Sequence, residues 1–135
     1  MSFVELSHTA DVRIHVRAPT LDLLFSESFE ALMQTIFGKD RRGGHSKEIR
    51  IAAADTETLL MDFLSESLFI CEVEGLVFTG ASVVTDGKSL TAVLDGEPFD
   101  RSRHAGGTEV KGISYSGLAI TRDENDYMLD ILFDV

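Results

Sequence analysis

Residues 11–18 alternate without interruption, with Val12, Ile14, Val16 and Ala18 facing one way and Asp11, Arg13, His15 and Arg17 the other. A period of two sustained over this stretch reads as a half-buried strand. Pro19-Thr20 breaks it, and Thr20 is placed to cap a helix with Asp22 in its first turn. Leu21, Leu24, Phe25, Ser28, Phe29, Leu32, Met33 and Ile36 then recur at helical spacing, and Gly38 stands where a helix-ending glycine belongs. The spacing predicts a helix over 21–37.

Three glycines, Gly38, Gly43 and Gly44, mark residues 38–46 as a loop. Lys39, Arg41, Arg42, Lys47 and Arg50 bring five of the twelve basic residues into this region. A solvated loop is the economical reading, with phosphate binding the alternative. Ile49, Ile51 and Ala53 alternate as a strand, and Asp55 caps a second helix with Leu59, Leu60, Phe63, Leu64, Ser67, Leu68 and Cys71 on its apolar stripe. The second half reads as antiparallel strands over 76–79, 83–85, 90–94, 113–121 and 127–134. Asp86-Gly87 predicts a two-residue type I′ hairpin turn. The expected fold is α+β, with two helices packed on one mainly antiparallel sheet in a single domain spanning 1–135.

Charge narrows the function classes. The chain has 23 acidic and 12 basic side chains, a net −11, while 44% of its 135 residues are hydrophobic, a globular share. A net acidic surface argues against broad nucleic-acid binding, which needs cations to neutralise phosphate. It leaves a metal cation or a basic protein as charge-dependent partners. No apolar run reaches the roughly 18 residues that would span a membrane. No secretory signal is visible at Met1–Glu5, and the single Cys71 excludes an internal disulfide, so the expected compartment is the cytoplasm. Cys71 lies in an apolar helical pattern and reads as a small core residue.

Three constellations carry chemistry. Ser7-His8-Thr9-Ala10-Asp11 sits at the mouth of a strand, where short polar side chains either close a turn or offer oxygen to a hard cation. At the other end, Asp134 stands next to Val135, whose α-carboxylate adds a second negative charge, a pairing relieved by solvent or by a cation. His104 to Lys111 includes Gly106-Gly107, which gives backbone freedom for a phosphate loop without being a Walker sequence. Lys111 reads as a solvated charge at the start of a strand. No nucleophile stands out, since the four histidines are scattered and no Ser or Cys occupies an elbow-like glycine context.

Four segments taken in order resemble the archease family. They are His8-Thr9-Ala10-Asp11-Val12, Leu59-Leu60-Met61-Asp62-Phe63-Leu64-Ser65-Glu66, Gly107-Thr108-Glu109-Val110-Lys111-Gly112-Ile113-Ser114-Tyr115 and Ile131-Leu132-Phe133-Asp134-Val135. Gly112 and Ser114 depart from the family's usual Ala and Thr. The resemblance implies a non-enzymatic protein cofactor of an RtcB-type RNA ligase that promotes its GTP-dependent guanylylation and turnover in tRNA splicing or RNA repair. It also implies a divalent metal held by Asp11, Asp134 and Val135, calcium first with magnesium or manganese as alternatives. Lys111 and His8 are then expected to face the partner. The alternative that it implies is a chaperone or modulator of tRNA-modification enzymes such as tRNA methyltransferases.

Overall fold

Thr20 and Asp55 begin the two long helices as the sequence predicts. In the computed structural model, which describes residues 2–8, 11–114 and 117–135 and only the backbone of 5–8, α1 spans Leu21–Phe37 and α2 spans Thr56–Glu74. The Thr20 hydroxyl oxygen accepts the Leu23 N–H at 3.2 Å, and the Asp55 carboxylate accepts that of Thr58 at 2.8 Å. That bond holds the Asp55 carboxyl below its usual range. Gly38 and Gly75 close the helices, their N–H groups donating to Gln34 and Cys71.

The helices present unequal apolar faces. At about 100° per residue, the buried side chains of α1 from Leu24 to Met33 cover an arc of about 200°. That is too wide for one packing partner, and α1 lies against two sheets and against α2. The buried hydroxyls on these faces are satisfied locally, Ser28 donating to the Leu24 carbonyl and Ser67 to that of Phe63. Phe29 and Phe25 both stack on Phe63 across the helix pair. Cys71 is buried 3.9 Å from the Met33 sulfur, and burial pushes its thiol up to about 12, which fits a core residue.

Two antiparallel sheets replace the single one expected. The first is built from β1 (Ser2–His8), β2 (Asp11–Ala18), β6 (Gly112–Ser114), β7 (Thr121–Arg122) and β8 (Tyr127–Asp134), in the order β1-β2-β8-β6. β6 and β7 share the far edge of β8, β7 against Tyr127 and Met128 and β6 against Leu132 to Asp134. The second sheet is β3 (His45–Ala52), β5 (Ser89–Pro98) and β4 (Leu76–Thr85), with β5 central. The class is α+β, as expected. The wide face of α1 is the physical reason that a second sheet is needed.

Other departures are local. β1 has no counterpart in the sequence reading. The separate segments 76–79 and 83–85 are one strand with an irregularity between Phe78 and Gly80. The long strand expected over 113–121 is reduced to β6 and β7, and a short α3 (Arg101–His104) follows β5. The 86–87 turn is not type I′, because among the described residues only glycines have positive φ. Gly87 takes φ 97° while the Asp86 side chain accepts the N–H groups of Lys88 and Ser89 at 2.9 and 2.8 Å. A carboxylate that closes the turn itself removes the need for two left-handed residues. Thr9, Ala10 and Tyr115 of the quoted motifs lie outside the described residues.

Candidate functional site

The β2–β8 register decides which side chains share a face. Asp11 pairs with Asp134, Arg13 with Leu132, His15 with Asp130 and Arg17 with Met128, all on the outer face of the first sheet. Val12, Ile14, Val16 and Ala18 turn inward with Phe133, Ile131, Leu129 and Tyr127. Several of the outer charges are matched. His15 Nδ1 meets Asp130 Oδ1 at 2.8 Å, and the Arg17 guanidinium reaches Asp123 and Asp126, each at 3.4 Å. The Asp123 carboxyl is held below its usual range by the N–H groups of Asn125 and Asp126, with Arg17 adding to the effect.

Asp11 and Asp134 break this rule. They are like charges in directly opposed positions, where Cβ atoms stand roughly 4.5–5.5 Å apart. Among the described residues, neither carboxylate has an ion-pair partner, and no group of three or more His, Cys, Asp and Glu gathers as a metal cluster. Three strand ends converge there, because Gly112 of β6 pairs with Asp134 from the other side. The Lys111 N–H donates to the Asp134 carbonyl at 2.7 Å, which brings its backbone to this corner, and its side chain is exposed. Val135 is half-buried with its side chain packed on the core. The backbone of His8 pairs with Val12, and its side chain lies outside the described residues. The structure therefore brings Asp11, Asp134, Val135 and Lys111 to one end of one sheet.

The donor set tests whether a cation suits this end. Two opposed carboxylates and the main-chain oxygen of Val135 are hard donors, and the chemistry fits a hard divalent ion rather than a soft one. Two side-chain ligands leave most positions of such an ion to water or to a partner.

A second charged cluster escaped the sequence reading. Glu97, near the end of β5, accepts both Arg103 guanidinium nitrogens at 2.8 and 2.5 Å and the Arg42 N–H at 2.8 Å. His104 is 1% exposed, accepts the Asp100 N–H on Nδ1 at 2.8 Å and so turns Nε2–H toward Glu97 at 3.1 Å. The Arg103 hydrogen bonds, with those of Arg42 and His104, draw the Glu97 carboxyl from 4.5 down to about 2 against the opposing effect of burial. Asp100 opening α3 just after Pro98 was the available signal, but four residues carry no helical period. A folded value below the unfolded one means that this carboxylate's stabilisation is complete above pH 4.5 and is lost as pH falls through about 2. Glu97→Gln should flatten the fall of the urea midpoint across that window. An acid limb as steep as the parent's would remove Glu97 from the account.

A small α+β protein with two antiparallel sheets on a helix pair, and with acidic strand ends meeting at one corner, is the class that this geometry defines. The Archease protein family (MTH1598/TM1083) matches residues 3–135, and the chain belongs to that family. Protein archease of Methanopyrus kandleri is 31% identical over 140 residues, covering 100% of both chains. The solution structure of Methanobacterium thermoautotrophicum protein 1598 superposes with a TM-score of 0.81 at 20% identity, covering 98% of each chain. The crystal structure of a Thermotoga maritima archease, described as a possible chaperone, gives a TM-score of 0.69 at 20% identity, with 98% of this chain and 94% of that one covered. Both structures share the fold.

Proposed function

We propose that this chain is a non-enzymatic protein cofactor that holds a divalent cation at Asp11 and Asp134 and activates an RtcB-type RNA ligase. The observation that carries the reading is the like-charge register pair Asp11–Asp134 on an outer face whose other acids are largely matched by His15 and Arg17. The bound ion would offset the repulsion of the two carboxylates and leave open positions for an anionic group on the ligase. The oxygens of Val135 complete the proposed ligand set, with calcium first and magnesium or manganese as alternatives. Lys111 supplies a mobile point charge beside that corner for phosphate or carboxylate on the partner. His8 joins the partner-facing set on the family resemblance. A net charge of −11 makes the route to RNA indirect, through the ligase and not through broad contact with nucleic acid.

In multiple-turnover RNA ligation with the cognate ligase, substoichiometric amounts of this chain should raise guanylylation and turnover. No effect at any ratio would overturn the reading. Asp11→Asn and Asp134→Asn should each abolish the rise in melting temperature produced by a divalent cation, while removal of Val135 should weaken it. Metal-dependent melting that persists in both Asp variants would eliminate the site. Lys111→Ala should keep the fold and lose ligase activation.

The Thermotoga structure is described as a possible chaperone, which favours a second reading; on the family resemblance its clients would be tRNA-modification enzymes such as tRNA methyltransferases. Its signature would be stoichiometric suppression of client aggregation that needs no GTP.

A further inference from the structure

A different surface, on the second sheet, carries an inference independent of the ligase reading. Among the described residues, β3 is an edge strand that pairs only with β5. It has no proline and its β5 register shows no bulge, although these are common protections of a free edge. Next to that edge, Phe69 and Val73 of α2 are 56% and 64% exposed. With Ile49 and Ile70 they line a groove of about 320 Å³ between the helix and the strand. Lys47 points to this side, but its ammonium is matched by Glu74 at 2.8 Å.

The phase of the hydrogen-bond ladder shows what the edge offers. The Ala53 N–H donates to the Lys88 carbonyl at 2.8 Å, one step beyond the Ala52–Ser89 register pair. In an antiparallel ladder, bonded pairs alternate. Residues 47, 49 and 51 therefore turn their backbone groups toward β5, and Ser46, Glu48, Arg50 and Ala52 turn theirs toward the open edge. If a second β3 is laid antiparallel on this edge about Ile49, Glu48 falls opposite Arg50 of the copy and Arg50 opposite its Glu48. Those are the residues whose backbone groups are free to bond. In this register, one of those that the ladder permits, the charge order of the strand is its own complement.

We infer that β3 is the interface between two copies of this chain, which join edge to edge into one six-stranded sheet. The two-fold axis would pass midway between the two Ile49 residues, perpendicular to the sheet. Both α2 helices then lie on the same side of the joined sheet, and Phe69 and Val73 of each copy cover those of the other. The Glu48–Arg50 bond within one strand, at 3.0 Å and exposed, exchanges for two such pairs across the axis. A net −11 on each copy opposes association, so the dimer forms at high protein concentration and is helped by salt that screens the whole-molecule repulsion.

The test uses the full chain in sedimentation velocity over a concentration series, with amide hydrogen exchange followed by NMR. The expected result is a monomer–dimer equilibrium in which the Glu48 and Arg50 amides become protected as the dimer fills. Arg50→Glu and Glu48→Arg each place two like-charge pairs across the axis and should weaken the dimer roughly tenfold or more. The double variant Glu48→Arg/Arg50→Glu restores opposite pairs and should restore association. Both side chains are exposed, so circular dichroism should show all three variants folded. A monomer at every concentration would overturn the inference, as would a dimer that leaves the two amides fast or that ignores the charge swaps. Protection gained only when a foreign protein is added would assign the edge to another chain's strand and equally overturn self-pairing.

Discussion

Arg41→Met should destabilise the fold by about 3 kcal/mol, with the urea midpoint falling and the slope unchanged. The arginine comes from the glycine-flanked basic stretch that reads as a solvated loop, yet its side chain is 3% exposed. Its Nε donates to the Gly38 carbonyl at 2.7 Å and one terminal nitrogen to the Phe78 carbonyl at 2.9 Å, while the guanidinium pairs with Glu30 of α1. It thereby ties the end of α1 to β4. Methionine keeps the stem and removes every donor, leaving a partly buried carboxylate and a buried carbonyl without partners, and that desolvation is where the cost arises. Lysine would not replace the fork, since one ammonium cannot reach three acceptors in that geometry. Arg42→Met is the control. That side chain is exposed and, among the described residues, bonded only to Asp40, so its loss should stay within about 0.5 kcal/mol. Equal effects at the two positions would return Arg41 to solvent.

Gly107→Ala should cost about 2–3 kcal/mol, whereas Gly106→Ala should stay within about 0.5 kcal/mol. A Cβ at Gly107 would stand 2.1 Å from the Ile36 carbonyl oxygen and 2.7 Å from that of Thr35, both backbone atoms at the end of α1. The same contact brings the Thr108 N–H to the Thr35 carbonyl at 2.8 Å. Around Gly106 there is open space. The paired glycines look alike in sequence, where they suggest a loop for phosphate, but one lets two backbones touch and the other does not. Thermal melts of the two variants separate the explanations. Equal melting temperatures would show that the close approach is not needed.

What could be read from the sequence was local in origin. Caps at Thr20 and Asp55 and the period of two in 11–18 and 127–134 come from neighbours on the chain, and all four are present in the structure. The acidic ends, Asp11 and Asp134, could be brought together on paper only by assuming that their strands pair, which they do in register. Long-range choices left fainter traces. The number of sheets depends on which strands pair, and an apolar stripe on α1 that is already about 180° wide in the sequence does not say whether one sheet or two will cover it. Arg41 and Glu97 find their partners through folding, and a basic run next to glycines has the same composition whether it is solvated or buried.

The two sheets also differ in when they can exist. All three strands of the second lie between residues 45 and 98, so that sheet and α2 can assemble from contacts near in sequence. The first sheet depends on β8, whose His15–Asp130 contact joins residues 115 apart. Contacts of such separation pay the larger loop-closure entropy and form late. The corner of Asp11 and Asp134 is thus made of contacts between the two ends of the chain and exists only once β2 and β8 have paired. An ion held by both carboxylates, as proposed, would have no site before those strands pair, and its binding would discriminate finished molecules from unfinished ones.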